Sequence, residues 1–313
     1  MSERHAIGVV GARGHTGAEL VRLIRDHPSL ELIFAGSREL AGEPVPGLKD
    51  VVYESIGPGD LSGRDLDVVV LALPDGAGDP YVDVIDEGTV IVDISADHRF
   101  DDTWAYGLPE LFREKIQGAQ RIANPGCYAT ASQIALAPLL ESISGVPAVF
   151  GVSGYSGAGT TPGPRNDPDR LRDNLMPYKL VGHNHERETV HHLGIPVRFI
   201  PHVHPAFRGL LVTAHIPLGR AMASAEIEAR YEEQYGEEPL IEIRNAIPEL
   251  KDGADHQGVL LGGFEVSSDG LNAVVIAAED NLLKGAAVQA IQNINLALGL
   301  GEFVGLNERV RRP

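Results

Sequence analysis

The segment Gly11-Ala12-Arg13-Gly14-His15-Thr16-Gly17 restricts what this chain can fold into more than any other stretch. It follows an apolar run over residues 5–10 and precedes a pattern in which Leu20, Leu23 and Ile24 share one helical face. Glycines between a strand and a helix permit a tight turn and let a pyrophosphate approach the helix N-terminus. Gly11, Arg13, Gly14, His15, Thr16 and Gly17 are therefore candidate dinucleotide-binding residues; the plainer alternative is a tight strand–helix connection.

Further strand-like runs cover residues 30–35, 67–73, 89–94 and 121–123, with helical stretches between them. That alternation predicts a doubly wound parallel sheet, a Rossmann-type α/β domain. The run at 30–35 ends in Gly36-Ser37-Arg38, with no acidic residue at the strand's end to hold a ribose 2′-hydroxyl. Ser37 and Arg38 suit a 2′-phosphate instead, so NADP is expected over NAD, although Glu39 stands close by. The loops carrying Pro74 and Ser95-Ala96-Asp97-His98-Arg99 lie at C-terminal strand ends, where ligands of such sheets collect. Arg99 suits a substrate carboxylate or phosphate, or equally a pairing with Asp97 or Asp101.

The only cysteine of 313 residues, Cys127, follows an Asn-Pro-Gly turn and opens an apolar helical run. A helix start favours the thiolate, so Cys127 is a candidate nucleophile, with a buried structural thiol as the alternative. Beyond it the pattern changes to strand-like runs over 146–152, 197–203, 210–216, 240–243, 259–266 and 271–278. Few helices interrupt them, such as one over 224–235 with Ser224 as its N-cap. This predicts an α+β domain with a mixed or antiparallel sheet. The Pro/Gly-rich stretch 160–169 is long enough to cover an active site or to be a surface excursion. A last helical run from Asn281 to residue 298 has an apolar face that needs cover, and is expected to return to the first domain. The expected domains are 1–126 with 284–313, binding NADP, and 127–283, for catalysis and oligomerisation.

The net charge of −18 argues against a nucleic-acid partner. No apolar run reaches membrane-spanning length, and the N-terminus runs straight into a core strand. With one cysteine and no internal disulfide, a reducing, cytoplasmic setting is expected.

Residues 183–192 read His-Asn-His-Glu-Arg-Glu-Thr-Val-His-His. On a helix His185 and Glu188 face alike while His183 and His185 diverge, which is poor chelation geometry, so no metal is expected. A proton carrier for Cys127 could come from these histidines or from His202 and His204, and the residues alone leave that open.

Residues 122–131, Ile-Ala-Asn-Pro-Gly-Cys-Tyr-Ala-Thr-Ala, resemble the active-site signature of the N-acetyl-γ-glutamyl-phosphate reductases. These form the arginine-pathway branch of the aspartate-semialdehyde-dehydrogenase-like enzymes. Supporting matches are the glycine loop, Ser95-Ala96-Asp97, Ser156-Gly157-Ala158-Gly159, Phe207-Arg208-Gly209 and Asn281-Leu282-Leu283-Lys284-Gly285. The resemblance implies NADPH-dependent reduction of an acyl phosphate through a Cys127 thioester, with release of phosphate. It implies His185 as the catalytic histidine, Tyr178 near the substrate, and Arg208 or Arg99 on its carboxylate or phosphate. Cofactor contacts are implied at Ser95, Ser156, Gly157 and Asn281, and a homo-oligomer, dimer or tetramer, as the assembly. His98 stands where the family commonly has an aromatic residue. Alternatives are the same chemistry on aspartyl phosphate or a carrier-bound aminoadipyl phosphate, or a non-catalytic nucleotide-binding regulator.

Overall fold

The computed structural model describes residues 4–306 and divides into two compact units, 4–126 with 286–306 and 127–285. The first unit holds strands β1 (His5–Val10), β2 (Leu30–Gly36), β3 (Tyr53–Glu54), β4 (Val68–Leu71), β5 (Val90–Asp93), β6 (Ala105–Tyr106) and β7 (Arg121–Ala123). They form one parallel sheet in the order β3-β2-β1-β4-β5-β7-β6. β4 and β5 are buried along their whole length, which is why they read as short continuous apolar runs with no alternation. The strand order reverses at β1/β4, and the glycine loop lies at the C-terminal end of β1, between it and helix α1 (His15–Asp26). Short α2 (Asp79–Val82) and α3 (Pro109–Ile116) complete the run up to the Asn-Pro-Gly turn.

The second unit opens with helix α4 (Cys127–Leu136) and continues through β8 (Ala148–Gly154), α5 (Pro168–Leu171), β9 (Met176–Pro177) and α6 (Asn184–Leu193). There follow β10 (Arg198–His204), β11 (Leu210–Pro217), α7 (Ser224–Tyr235), β12 (Ile241–Ile243), α8 (Leu250–Gly253), β13 (Val259–Val266) and β14 (Asn272–Glu279). The seven strands form a mixed sheet in the order β12-β13-β14-β11-β8-β10-β9. β8 and β10 pair in parallel, while β11 runs antiparallel to β8 and β14. α4 packs on β11 and β14 with α6 beside it, and α7 covers β12 and β13. Along β10, Phe199, Pro201 and Val203 are buried, whereas Ile200 on the alternate face is 42% exposed. Phe150 of neighbouring β8 is 39% exposed on that same open face.

Helix α9 (Val288–Ala297) belongs to the first unit, where it packs on β5, α1 and α3. Its buried amides satisfy backbone groups that would otherwise be stranded. Gln289 Nε2 and Asn293 Nδ2 donate to the Gly107 carbonyl at 2.7 and 3.0 Å, and Asn293 Nδ2 also reaches Asn124 Oδ1 at 3.0 Å.

Three elements differ from their sequence reading. The final helical run begins with a π-turn, Leu283–Ala287, before α9. The run after Cys127 leaves the α-helix at Leu136 and tightens into a 3-10 turn, Ala137–Ser142, where Pro138 has no amide to donate. Ser224 is the first helical residue of α7; the N-cap is Ala223, with no side-chain cap.

Candidate active site

The nucleotide-side residues are built on the first unit. Gly11 has φ +85°, and a Cβ there would come 2.1 Å from the Ala72 carbonyl oxygen, so only glycine makes this turn. Gly14 is the N-cap of α1, and no side chain caps the helix. A Cβ on Gly14 would meet nothing nearer than the Gly11 carbonyl oxygen at 3.5 Å. An open, uncapped helix start of this kind fits a pyrophosphate, with His15, Thr16 and Gly17 forming its first turn. At the end of β2, Ser37 is buried, its Oγ accepting from Leu40 N at 3.2 Å, and Arg38 is exposed. Glu39 is drawn to Arg13, with Nη1 3.0 Å from Oε2, a surface pair that sequence spacing does not reveal.

The loops after β4 and β5 are tied together. Gly76 N donates to both oxygens of Asp97 at 2.8 Å, and Ala96 N to Asp75 at 3.0 Å, which holds Pro74 beside Ser95. Ser95 donates its amide and hydroxyl to the buried Asp93 carboxylate at 2.9 and 2.8 Å. His98 Nδ1 lies 2.7 Å from the same carboxylate, its Nε2 3.3 Å from Asp79, and its ring stacks on Trp104 at 3.8 Å. A flat ring is thus kept at position 98, with an added tie to two acids. Arg99 is buried; Nε donates to the Asn124 carbonyl at 2.9 Å and Nη2 to the Ile94 carbonyl at 2.7 Å. It braces the end of β5 against the turn that precedes Cys127.

The cysteine side is built on the second unit. Cys127 is half-buried and is the first residue of α4. The far end of α4 is held by α7, where the Tyr231 hydroxyl donates to the Ala135 carbonyl and Tyr235 to the Ile134 carbonyl at 3.2 Å. These are carbonyls a helix end leaves without intrahelical partners. On the other side, a Cβ on Gly285 would fall 2.6 Å from Cys127 Cβ and 2.8 Å from Glu279 Oε1, so the π-turn must carry glycine here. Next in chain, buried Tyr128 donates its hydroxyl to the His202 carbonyl at 2.7 Å. Its ring lies 5.8 Å from His185, 6.3 Å from His183 and 4.9 Å from Phe199.

His183 is the N-cap of α6, and its Nδ1 accepts the His185 amide at 3.1 Å. Burial, reinforced by His185, Lys179 and Arg165, pushes the His183 ring down to about 3, so it stays a neutral acceptor at working pH. Tyr178 packs its ring 5.5 Å from His183. Burial, then the charge of Cys127, raises its hydroxyl well above the usual phenol range, while Arg165 pulls the other way. Spacing alone leaves His185 and His202 level; the structure puts them in different surroundings. His185 sits in the ring cluster beside Tyr128, whereas the His202 ring stacks on Phe150 at 4.2 Å, on the sheet face away from α4.

Arg208 is mostly buried between two acids, 2.5 Å from Asp255 and 3.5 Å from Asp280. Asp280 is fully buried, and that burial raises its carboxyl. Asn281 ties two loops together, accepting from Gly209 N at 3.0 Å and donating to Ser156 Oγ at 2.9 Å, with Gly157 next in the same turn. The residues that sequence reasoning passed over are Tyr128, Arg165 and Lys179. Their only signal was position: Tyr128 next to Cys127, Arg165 within the Pro/Gly-rich stretch and Lys179 next to Tyr178. Among the described residues no group of three or more His, Cys, Asp or Glu could hold a metal ion.

A dinucleotide-type parallel sheet joined to a mixed sheet bearing a helix-start cysteine and a nearby histidine defines a class of nicotinamide-linked aldehyde oxidoreductases. The chain belongs to the semialdehyde dehydrogenase family: residues 6–119 match its NAD binding domain and residues 127–281 its dimerisation domain. It is 52% identical over 308 residues to N-acetyl-gamma-glutamyl-phosphate reductase of Xanthomonas campestris pv. campestris, covering 96% of this chain and 98% of that one. The reductase of the same name from Stenotrophomonas maltophilia is 48% identical, covering 96% and 97%. In fold it is similar to aspartate semialdehyde dehydrogenase II from Vibrio cholerae, with TM-score 0.78 and 17% identity over 95% of this chain and 99% of that one. Aspartate semialdehyde dehydrogenase with NADP from Candida albicans gives TM-score 0.73 at 19% identity, again over 95% and 99%.

Proposed function

We propose that this chain reduces N-acetyl-L-glutamyl 5-phosphate to N-acetyl-L-glutamate 5-semialdehyde and phosphate with NADPH, in arginine biosynthesis, through a covalent Cys127 thioester. The observation that carries the covalent step is the placement of Cys127 at the start of α4, with His185 packed against the adjoining Tyr128. The Cys127 sulfur attacks the acyl carbonyl; the carbon–sulfur bond forms, the carbon–oxygen bond to phosphate breaks, and phosphate leaves with the electron pair. Backbone amides at the helix start stabilise the oxygen that carries the developing charge. NADPH, when bound, supplies the hydride that reduces the thioester. His185 carries the proton as the carbon–sulfur bond breaks and the aldehyde is released, a role that typically contributes ~10²–10⁴-fold.

The coenzyme is held at Gly11, Arg13, Gly14, His15, Thr16 and Gly17, with Ser37 and Arg38 toward its 2′-phosphate and Pro74, Ser95, Ser156, Gly157 and Asn281 as further contacts. Arg208, Arg99 and Tyr178 are the substrate-side residues, Arg208 with the stronger family match. No helix among the described residues is long and apolar enough to cross a membrane. A reaction between soluble metabolites fits the cytoplasm, and the match to a dimerisation domain fits a homo-oligomer.

The test is phosphate-dependent oxidation of N-acetylglutamate semialdehyde with NADP, run beside aspartate semialdehyde and beside NAD. Cys127→Ser is expected to keep NADPH binding by fluorescence titration and to lose turnover by at least about a thousandfold, as removal of an essential nucleophile does. Wild-type turnover in that variant would sink the covalent route.

A further inference from the structure

We propose that Arg165 and Lys179 form a docking point for an oxyanion of the acyl-phosphate substrate, with Tyr178 as its floor; this rests on the acyl-phosphate reading above. The two arginines put forward for the substrate are engaged, Arg208 with Asp255 and Asp280 and Arg99 with two backbone carbonyls. Arg165 and Lys179 make no ion pair among the described residues.

Both stand beside the ring cluster that adjoins the cysteine's neighbour Tyr128. The Arg165 guanidinium lies 4.9 Å from the centre of the Tyr178 ring, a cation–π contact. Tyr178 meets His183 at 5.5 Å, His183 meets His185 at 4.8 Å, and His185 meets Tyr128, the residue after Cys127. Arg165 is also presented by a fixed loop. The side chain of Asn166 donates to the carbonyls of Gly159 and Thr161 at 2.9 and 2.8 Å and accepts from Gly163 N at 2.8 Å. Lys179 has φ +40°, a left-handed conformation uncommon for a lysine, and its Nζ donates to Asn184 Oδ1 at 3.2 Å. Two exposed cations are thus held over an aromatic and imidazole wall that leads to the nucleophile. The substrate offers two partners for them, a carboxylate and a phosphoryl group, each suited to a guanidinium fork and an ammonium.

The test uses the reactivity of Cys127 itself, which needs no turnover. Iodoacetate and iodoacetamide both alkylate the thiolate, with a carbon–sulfur bond forming as iodide departs, and only iodoacetate is an anion. The wild type is expected to prefer iodoacetate, and inorganic phosphate or N-acetyl-L-glutamate to protect the thiol. In Arg165→Gln/Lys179→Gln that preference falls about tenfold and protection is lost. In steady-state assays the same variant raises KM for phosphate or for the aldehyde at least about tenfold, leaving the NADP KM unchanged, and Arg165→Lys recovers part of the loss. A phosphate effect assigns the phosphoryl group, an aldehyde effect the carboxylate. Wild-type alkylation preference together with wild-type KM values in the double variant would overturn the docking point. A wild-type enzyme inactive on every aldehyde would overturn the proposed reaction and leave the alkylation result to decide the docking point alone.

Discussion

His183 gives its ring to the His185 amide and is kept neutral by burial, and this makes the site sensitive to acid. In the unfolded chain the ring protonates near its ordinary 6.5, in the folded one only near about 3. Between those values the unfolded state binds more protons, so stability falls as pH drops through that window and is fully present above 6.5. Going from pH 7 to pH 4.5 costs on the order of 2.5 kcal/mol from this residue. Urea denaturation at the two pH values should show His183→Gln losing that much less than wild type; an unchanged difference would place the acid sensitivity elsewhere. The separate placing of His185 and His202 was partly legible. Phe199, Pro201 and Val203 alternate with Arg198, Ile200 and His202, so the period of two already puts His202 on the face opposite the apolar one. What no periodicity states is which face α4 covers.

At the scale of elements, the apolar period of the last helical run marked a helix, and the strands buried on both faces marked themselves by continuous valine and isoleucine. The two-residue edge strands β3, β6 and β9 are too short to show any period and escaped notice. The π-turn Leu283–Ala287 escaped for another reason: it answers to a tertiary contact, Gly285 against Cys127, and not to a local pattern. Gly285→Ala would press a methyl group into the nucleophile. Expected are a loss of about 1–3 kcal/mol in stability, typical of overpacking, and a fall in kcat of at least about tenfold with the coenzyme KM unmoved. Wild-type kcat in this variant would mean that Cys127 has room to shift.

For the whole molecule, the exposed face of the second unit's sheet carries Phe150 and Ile200, and this unit is the part that matches a dimerisation domain. The homo-oligomer proposed above is expected to use this face. Phe150→Asp with Ile200→Asp is expected to shift light-scattering mass toward the single chain, while NADPH still binds to the first unit. An unchanged mass would move the contact to another surface. The buried amides of α9 bear on how the protein is made. Asn124 sets the turn in front of Cys127, yet its partner Asn293 follows 169 residues later. At the ribosome, with synthesis at roughly 5–20 residues per second, the turn waits on the order of ten to thirty seconds for its brace. A nascent chain therefore carries its nucleophile through that whole interval before the turn ahead of it in sequence is braced.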